Sequence, residues 1–175
     1  MFVFPLILLL LLVFALLLFV IILFFFLLFD AFLDLPYVAT KRHKIETILK
    51  FANIKKGETV VDLGSGDGRL LFASAKKGAK VIGYEINPFL VVLTRIHASL
   101  KGLSENIRVY KKNLWQADLK VADVIFVYGR KKTMQKFEDF VYKNAKKDTR
   151  IVVNTNPFPN KKSLKEENKI FLYKI

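Results

Sequence analysis

Hydrophobic and polar positions divide this chain into two unequal stretches. Residues 1–29 carry no charged side chain and almost nothing but Leu, Phe, Val and Ile. A helix needs only ~20 such residues to cross a bilayer. This run would reach about 42 Å at ~1.5 Å per residue, more than a ~30 Å hydrocarbon core, so a tilted span is expected. Beyond residue 40 the pattern becomes short apolar runs alternating with helical periods. A helix is expected over 41–52, capped by Thr40, with Ile45, Ile48, Leu49 and Ala52 on one face. Strands follow at 59–63, 80–85, 107–110, 122–128 and 150–153, with a closing strand inside 168–175. The 122–128 run is apolar on both faces, as a central parallel strand is. Helices are expected over 68–76, ended by Gly78, over 88–100, opened by Pro88, and over 134–144. Residues 154–168, rich in Asn, Pro and Lys, read as irregular. The alternation predicts an α/β fold: a mostly parallel sheet with helices on both faces, preceded by one transmembrane helix. The expected domains are an anchor over 1–29, a linker over 30–40 and a folded domain over 41–175.

Charge sharpens the reading of the first stretch. A cleaved signal peptide needs a basic start, a short apolar core and a small-residue cleavage site. No Lys or Arg precedes this run, and Asp30-Ala31-Phe32-Leu33-Asp34 is a poor cleavage site. A retained single-pass anchor is therefore expected. Lys41, Arg42 and Lys44 follow the span, which places the folded domain in the cytoplasm by the positive-inside rule. Cysteine is absent and histidine occurs twice, so neither a disulfide framework nor a histidine–cysteine metal cluster is expected. The net charge of +14 lies entirely after Phe29. It suits an anionic lipid bilayer or RNA, but the lysines are scattered singly and in pairs, which equally fits a plain compositional habit.

The densest chemistry lies in Val60-Val61-Asp62-Leu63-Gly64-Ser65-Gly66-Asp67-Gly68-Arg69. A strand ends on a carboxylate, then three glycines at alternate positions lead into a helix. Glycine lets the backbone turn tightly and lets a ligand lie against it. A nucleotide P-loop ends in Gly-Lys-Ser/Thr, and here Gly68 is followed by Arg69-Leu70. A dinucleotide fingerprint places its third glycine one position later, where Arg69 stands. The D-x-G-x-G-x-G spacing instead resembles the S-adenosylmethionine loop of Rossmann-like, seven-strand methyltransferases. Asp62 would hold an ammonium group; the alternative is a strand-end charge paired with a lysine. Glu85, ending the next strand, has the position and the acceptor oxygens for both ribose hydroxyls.

Further strings narrow the resemblance. Pro36-Tyr37-Val38-Ala39-Thr40, Gly83-Tyr84-Glu85-Ile86-Asn87-Pro88, Asn113-Leu114-Trp115 and Pro157-Phe158-Pro159 together look like the ATP synthase c-subunit lysine methyltransferase family and its prokaryotic relatives. The resemblance implies a methyltransferase with S-adenosylmethionine as cofactor, bound by Asp62, Gly64, Ser65, Gly66, Gly68, Glu85, Asn113 and Leu114. Asn113 and Leu114 would meet the adenine, although a plain turn asparagine fits Asn113 as well. Trp115 flanks the adenine or belongs to the core. Tyr37 and Thr40 would fold over the cofactor or serve as linker packing and helix cap. Tyr128, beyond the fourth strand from Asp123, lines an amine channel or the core. Tyr128 and Tyr37 are the candidates for a catalytic role. Two departures stand out: Ala39-Thr40 where relatives carry Pro-Thr, and Gly129-Arg130-Lys131-Lys132 where relatives are apolar. Asn156-Pro157-Phe158-Pro159 mimics an adenine-methylating signature but follows the fifth strand, so it is read as a coincidence.

The expected activity is methylation of a protein lysine, with a membrane protein as the substrate partner. The alternatives are methylation of a lipid, quinone or other small amphiphile, and a silent cofactor-binding module. Nucleic acid is the disfavoured partner.

Overall fold

Short continuous runs of β-branched and aromatic residues, buried on both faces, build the sheet of this protein, seen in a computed structural model that describes residues 3–32, 40 and 42–175. The chain divides into two compact units, Met1–Tyr37 and Val38–Ile175. In the first, α1 (Val3–Phe32) is a single helix. Its stretch Phe4–Phe25, 22 residues with no side chain buried against protein, is long and apolar enough to cross a membrane.

The second unit holds seven strands: β1 (Thr59–Leu63), β2 (Lys80–Glu85), β3 (Ile107–Lys111), β4 (Val124–Tyr128), β5 (Arg150–Asn154), β6 (Lys165–Glu167) and β7 (Ile170–Lys174). Their order across the sheet is β3-β2-β1-β4-β5-β7-β6. The first five run parallel, and β7 inserts antiparallel beside β5. Strand order therefore reverses between β1 and β4, and in open α/β sheets ligands bind beyond the carboxyl ends of the strands at such a point.

One face of the sheet, with Val60, Val81, Val109, Val124 and Val152, packs under α2 (Arg42–Ala52), α3 (Arg69–Ala75) and α4 (Pro88–Leu100). The opposite row, Val61, Ile125, Ile151 and Val153, is equally buried. It lies on the side of α5 (Met134–Asn144), whose Phe137 and Val141 are fully buried. The fold class thus matches the expectation, with three differences. Strand β4 starts at Val124, because the Ala122 N–H turns back to Leu119 C=O instead of joining the sheet. Residues 154–168 are not irregular throughout, since β6 lies among them. Two single turns of 3-10 helix, Leu114–Gln116 and Lys131–Thr133, sit beyond β3 and β4.

Candidate functional site

The site grows from the ends of β1 and β2. Asp62 lies opposite Gly83 and Leu63 opposite Tyr84 in register. Past Leu63 the backbone leaves the sheet through Gly64, Gly66 and Gly68, at φ of +92°, +55° and +79°. Only glycine adopts this left-handed region without steric cost, so the loop shape needs these residues. Tyr84 C=O accepts from both Gly64 N–H (2.9 Å) and Ser65 N–H (3.1 Å), which pins the loop to β2. Thr94 of α4 donates its hydroxyl to Gly66 C=O at 3.2 Å. A side chain on Gly64 would project into open space with only Leu114 Cδ2 at 3.9 Å. The loop therefore presents bare backbone at Gly64, with the Leu114 side chain beside it.

Two carboxylates stand behind this loop. Asp62 is only 6% exposed, and its carboxylate makes no hydrogen bond or ion pair among the described residues. Burial first, then the charges of Glu85 and Asp67, push its carboxyl up to about 7. Glu85 is also buried, but satisfied. One of its oxygens accepts from Gly66 N–H and the other from Asn87 N–H, both at 2.8 Å. A carboxylate has about four acceptor positions, so each oxygen keeps capacity for one more donor. Glu85 thus clasps the glycine loop and still offers a pair of acceptors.

The rim is assembled from later elements. Asn113 is exposed, and its side-chain oxygen caps the 3-10 turn by accepting from Trp115 N–H at 3.1 Å. Half-buried Trp115 packs on Phe137 (ring centroids 4.5 Å apart) and Phe140 (5.6 Å), with Lys136 Nζ 4.3 Å from its ring. It belongs to the α5 layer, the second of its two sequence readings. Half-buried Tyr128 closes β4 opposite Asn154 of β5. Asp123 lies at the other end of that strand, holding Thr59 N–H (2.8 Å) and Lys146 (2.6 Å), remote from the loop. Thr40 C=O accepts from the Arg69 guanidinium at 2.7 Å, so the backbone just before α2 reaches the residue after the last loop glycine. Tyr37 lies outside the described residues.

Several contributors were not assigned a role from the sequence. Asn87, 1% exposed, caps α4 by accepting from Phe89 N–H; its Asn-Pro pairing was the available cue. Thr155 is a β-branched residue at φ +81°, where such residues are outliers. Lys44 of α2 donates to Asn154 Oδ1 (3.0 Å) and Thr155 Oγ1 (3.1 Å). Asn156 Nδ2 donates to Gly129 C=O at 2.7 Å, and Phe158 packs on Tyr173 at 4.7 Å. The Asn-Pro-Phe-Pro string is thus a structural tie between the β4 and β5 exits.

The donor set fits S-adenosylmethionine. A buried carboxylate without a partner among the described residues suits an ammonium group, a second one with two spare acceptors suits vicinal hydroxyls, and a bare glycine loop suits close approach. Comparison with known proteins agrees. The family model for the ANTKMT methyltransferase domain matches residues 62–165, from Asp62 into β6. The chain belongs to this family. Its fold and family are those of S-adenosylmethionine-dependent methyltransferases. The ATP synthase c-subunit lysine N-methyltransferase of Homo sapiens is 32% identical over 126 residues, 72% of this chain and 54% of that protein. The adenine nucleotide translocase lysine N-methyltransferase of Mus musculus is 34% identical over 128 residues, 73% of this chain and 56% of that protein. The chain spans about half the length of these curated relatives. Among solved structures, an RNA methyltransferase from Salinibacter ruber in complex with S-adenosyl-L-homocysteine superposes with a TM-score of 0.73. It shares 25% identity and covers 78% of this chain and 91% of its own.

Proposed function

We propose that this protein is a protein-lysine N-methyltransferase that uses S-adenosylmethionine and works at a membrane. In this reading residues 1–29 are the anchor, 30–40 the linker and 41–175 a catalytic domain facing the cytoplasm. One observation carries the cofactor assignment: the buried Asp62 carboxylate that no described protein group neutralises. Asp62 holds the ligand ammonium, directly or through water. Glu85 accepts from the ribose hydroxyls while keeping its grip on Gly66 and Asn87. Gly64 and Ser65 lie along the ligand, and Leu114 and Asn113 border the adenine. When bound, the cofactor supplies a methyl carbon already activated by its sulfonium.

The remaining chemistry is positional. A lysine acceptor has a free pKa of ~10.4 and must reach the methyl carbon uncharged. The exits of β4 and β5 form the acceptor side of the site. There Tyr128 lines the approach, and the Lys44 ammonium raises the electrostatic cost of a charged amine nearby. Desolvation and alignment of the amine then supply most of the acceleration. The lysine assignment draws on the two relatives reported above, both named as lysine N-methyltransferases.

The test has two arms. Calorimetry on the full chain should show binding of S-adenosylmethionine and none of NAD; the reverse result removes the cofactor assignment. Labelled methyl groups offered with membrane protein and with lipid extracts should appear on protein lysine. Label in a lipid or quinone would replace the lysine assignment, and binding without transfer would make this a silent module.

A further inference from the structure

Helix α4 is apolar on nearly its whole circumference. Leu90, Val91, Thr94 and Ala98 are buried against the sheet. On the outer side Phe89, Val92, Leu93, Ile96 and Leu100 are 46%, 54%, 40%, 51% and 79% exposed. At ~100° per residue these five fall within one stripe opposite the buried set. Ile86, just before the helix, extends the stripe and follows directly on Glu85. A helix that is hydrophobic all round is ordinarily covered on both sides. Here the outer side has no cover among the described residues of its own unit. An apolar strip this long marks a contact surface on a soluble domain.

The flanking chemistry limits what that contact is. α4 contains no Asp or Glu. Arg95 borders the stripe on one side, its guanidinium held by Val109 C=O at 2.6 Å, and His97 borders it on the other. Lys101 follows at the C-terminus, near the Phe72 ring. An apolar strip with a basic side chain at its edge and no acid on the helix is the pattern of a helix lying in the headgroup–acyl boundary of a membrane. α1 ends at Phe32 and α2 begins at Arg42, so at ~3.5 Å per residue the intervening chain holds the second unit within a few tens of ångströms of any bilayer that α1 crosses.

We propose that the outer stripe of α4 seats in the surface of a bilayer containing anionic lipid, with Ile86 and Phe89 at the end nearest the cofactor site. The inference rests on the membrane attachment proposed above and goes beyond it, because an anchor alone leaves the folded domain free to tumble in water. With the stripe seated, the Glu85 end of the site is held beside the membrane surface, where a membrane-embedded acceptor emerges.

The absence of cysteine allows a direct test on the full chain. Single variants Val92→Cys, Leu93→Cys and Ile96→Cys carry a nitroxide in vesicles of phosphatidylcholine and phosphatidylglycerol. Leu12→Cys reports on α1, and Lys143→Cys, exposed on α5, reports on the solvent side. Collision with oxygen and with a water-soluble nickel complex gives each label's depth. The α4 labels should lie about 5–10 Å inside the interface and Lys143→Cys in water. The double variant Val92→Glu, Ile96→Glu should return a label at Leu93→Cys to water. Water-exposed α4 labels with Leu12→Cys embedded would overturn the inference and leave the anchor standing. A water-exposed Leu12→Cys would remove the anchor, and the α4 depths would still decide the stripe. Labels shielded from both reagents and showing spin–spin broadening would reveal a second copy, which also overturns it.

Discussion

A single carboxylate decides how this site responds to pH. Asp62 titrates near 7 when folded, against 3.8 when free. An acid with a raised pKa is held protonated by the native state, so its contribution to stability is present at low pH and falls away as pH climbs from about 4 through 7. A cationic ligand demands the opposite, ionised form. Affinity for S-adenosylmethionine should therefore tighten as pH rises through about 7 and level off above it, approaching tenfold per unit on the acid side. Calorimetry across that range reads this directly. Asp62→Asn should weaken binding at high pH and flatten the profile, and a profile that keeps its slope in the variant assigns the titration elsewhere. Glu85 has a double role that sets a different signature. Glu85→Ala should cost at least tenfold in affinity, about 1.4 kcal/mol. It should also lower the melting temperature, because Gly66 and Asn87 N–H groups lose a buried acceptor. An analogue lacking the ribose hydroxyls should bind the wild type more weakly and the variant no more weakly than the full ligand. A further loss in the variant would take Glu85 off the ribose. Sequence spacing placed both acids at strand ends, but whether Asp62 had a lysine partner was a question of what packs nearby.

Elements of the sheet show why some features were legible and others were not. β1, β2, α4 and α5 fall on the expected residues, because each is bounded by a local signal: the glycine loop, an acidic strand end, Pro88, or strong periodicity. β6 escaped notice because its residues Lys165, Glu166 and Glu167 are all charged and it pairs only with β7 at the sheet edge. The left-handed Thr155 has no sequence cue at all, since a β-branched residue is the last one expected there. Trp115 could be read two ways until its neighbours were known. Its packing predicts that Trp115→Ala destabilises the domain by about 2 kcal/mol, allowing for its partial burial. Cofactor affinity should change less than about threefold, well under the 1.4 kcal/mol of a tenfold effect. A large loss of affinity with an unchanged melting temperature would put the indole back beside the adenine. Gly83 offers a complementary case in β2. A Cβ there would stand 2.7 Å from Ser65 Oγ and 2.9 Å from Leu71 Cδ1. Gly83→Ala should push Ser65 and the glycine loop outward, so both stability and cofactor affinity should fall.

At the scale of the whole molecule, the net charge of +14 poses the choice of partner most sharply, because a basic surface attracts nucleic acid and anionic lipid alike. The two have different salt signatures. A protein that recognises RNA through a built phosphate-binding surface releases several counterions on binding. Its affinity then falls by orders of magnitude between about 50 and 200 mM salt. Here the acids are interspersed and several form ion pairs, such as Lys50 with Glu167, Lys146 with Asp123 and Arg150 with Glu58. The exposed apolar surface is concentrated in α1 and α4 instead. Contacts of that kind, and a covalent tether through the chain itself, are nearly indifferent to screening over that range. Methyl transfer to a lysine in a reconstituted membrane protein should accordingly vary little between about 50 and 200 mM salt, while any binding of RNA should collapse over the same interval. Both are read in one titration with labelled cofactor, vesicles and competing RNA. Transfer to membrane protein that fell as steeply as RNA binding would show that scattered lysines, rather than the tether and the apolar helices, bring enzyme and acceptor together. Transfer onto the RNA itself would move this chain towards the activity named for its Salinibacter ruber structural neighbour.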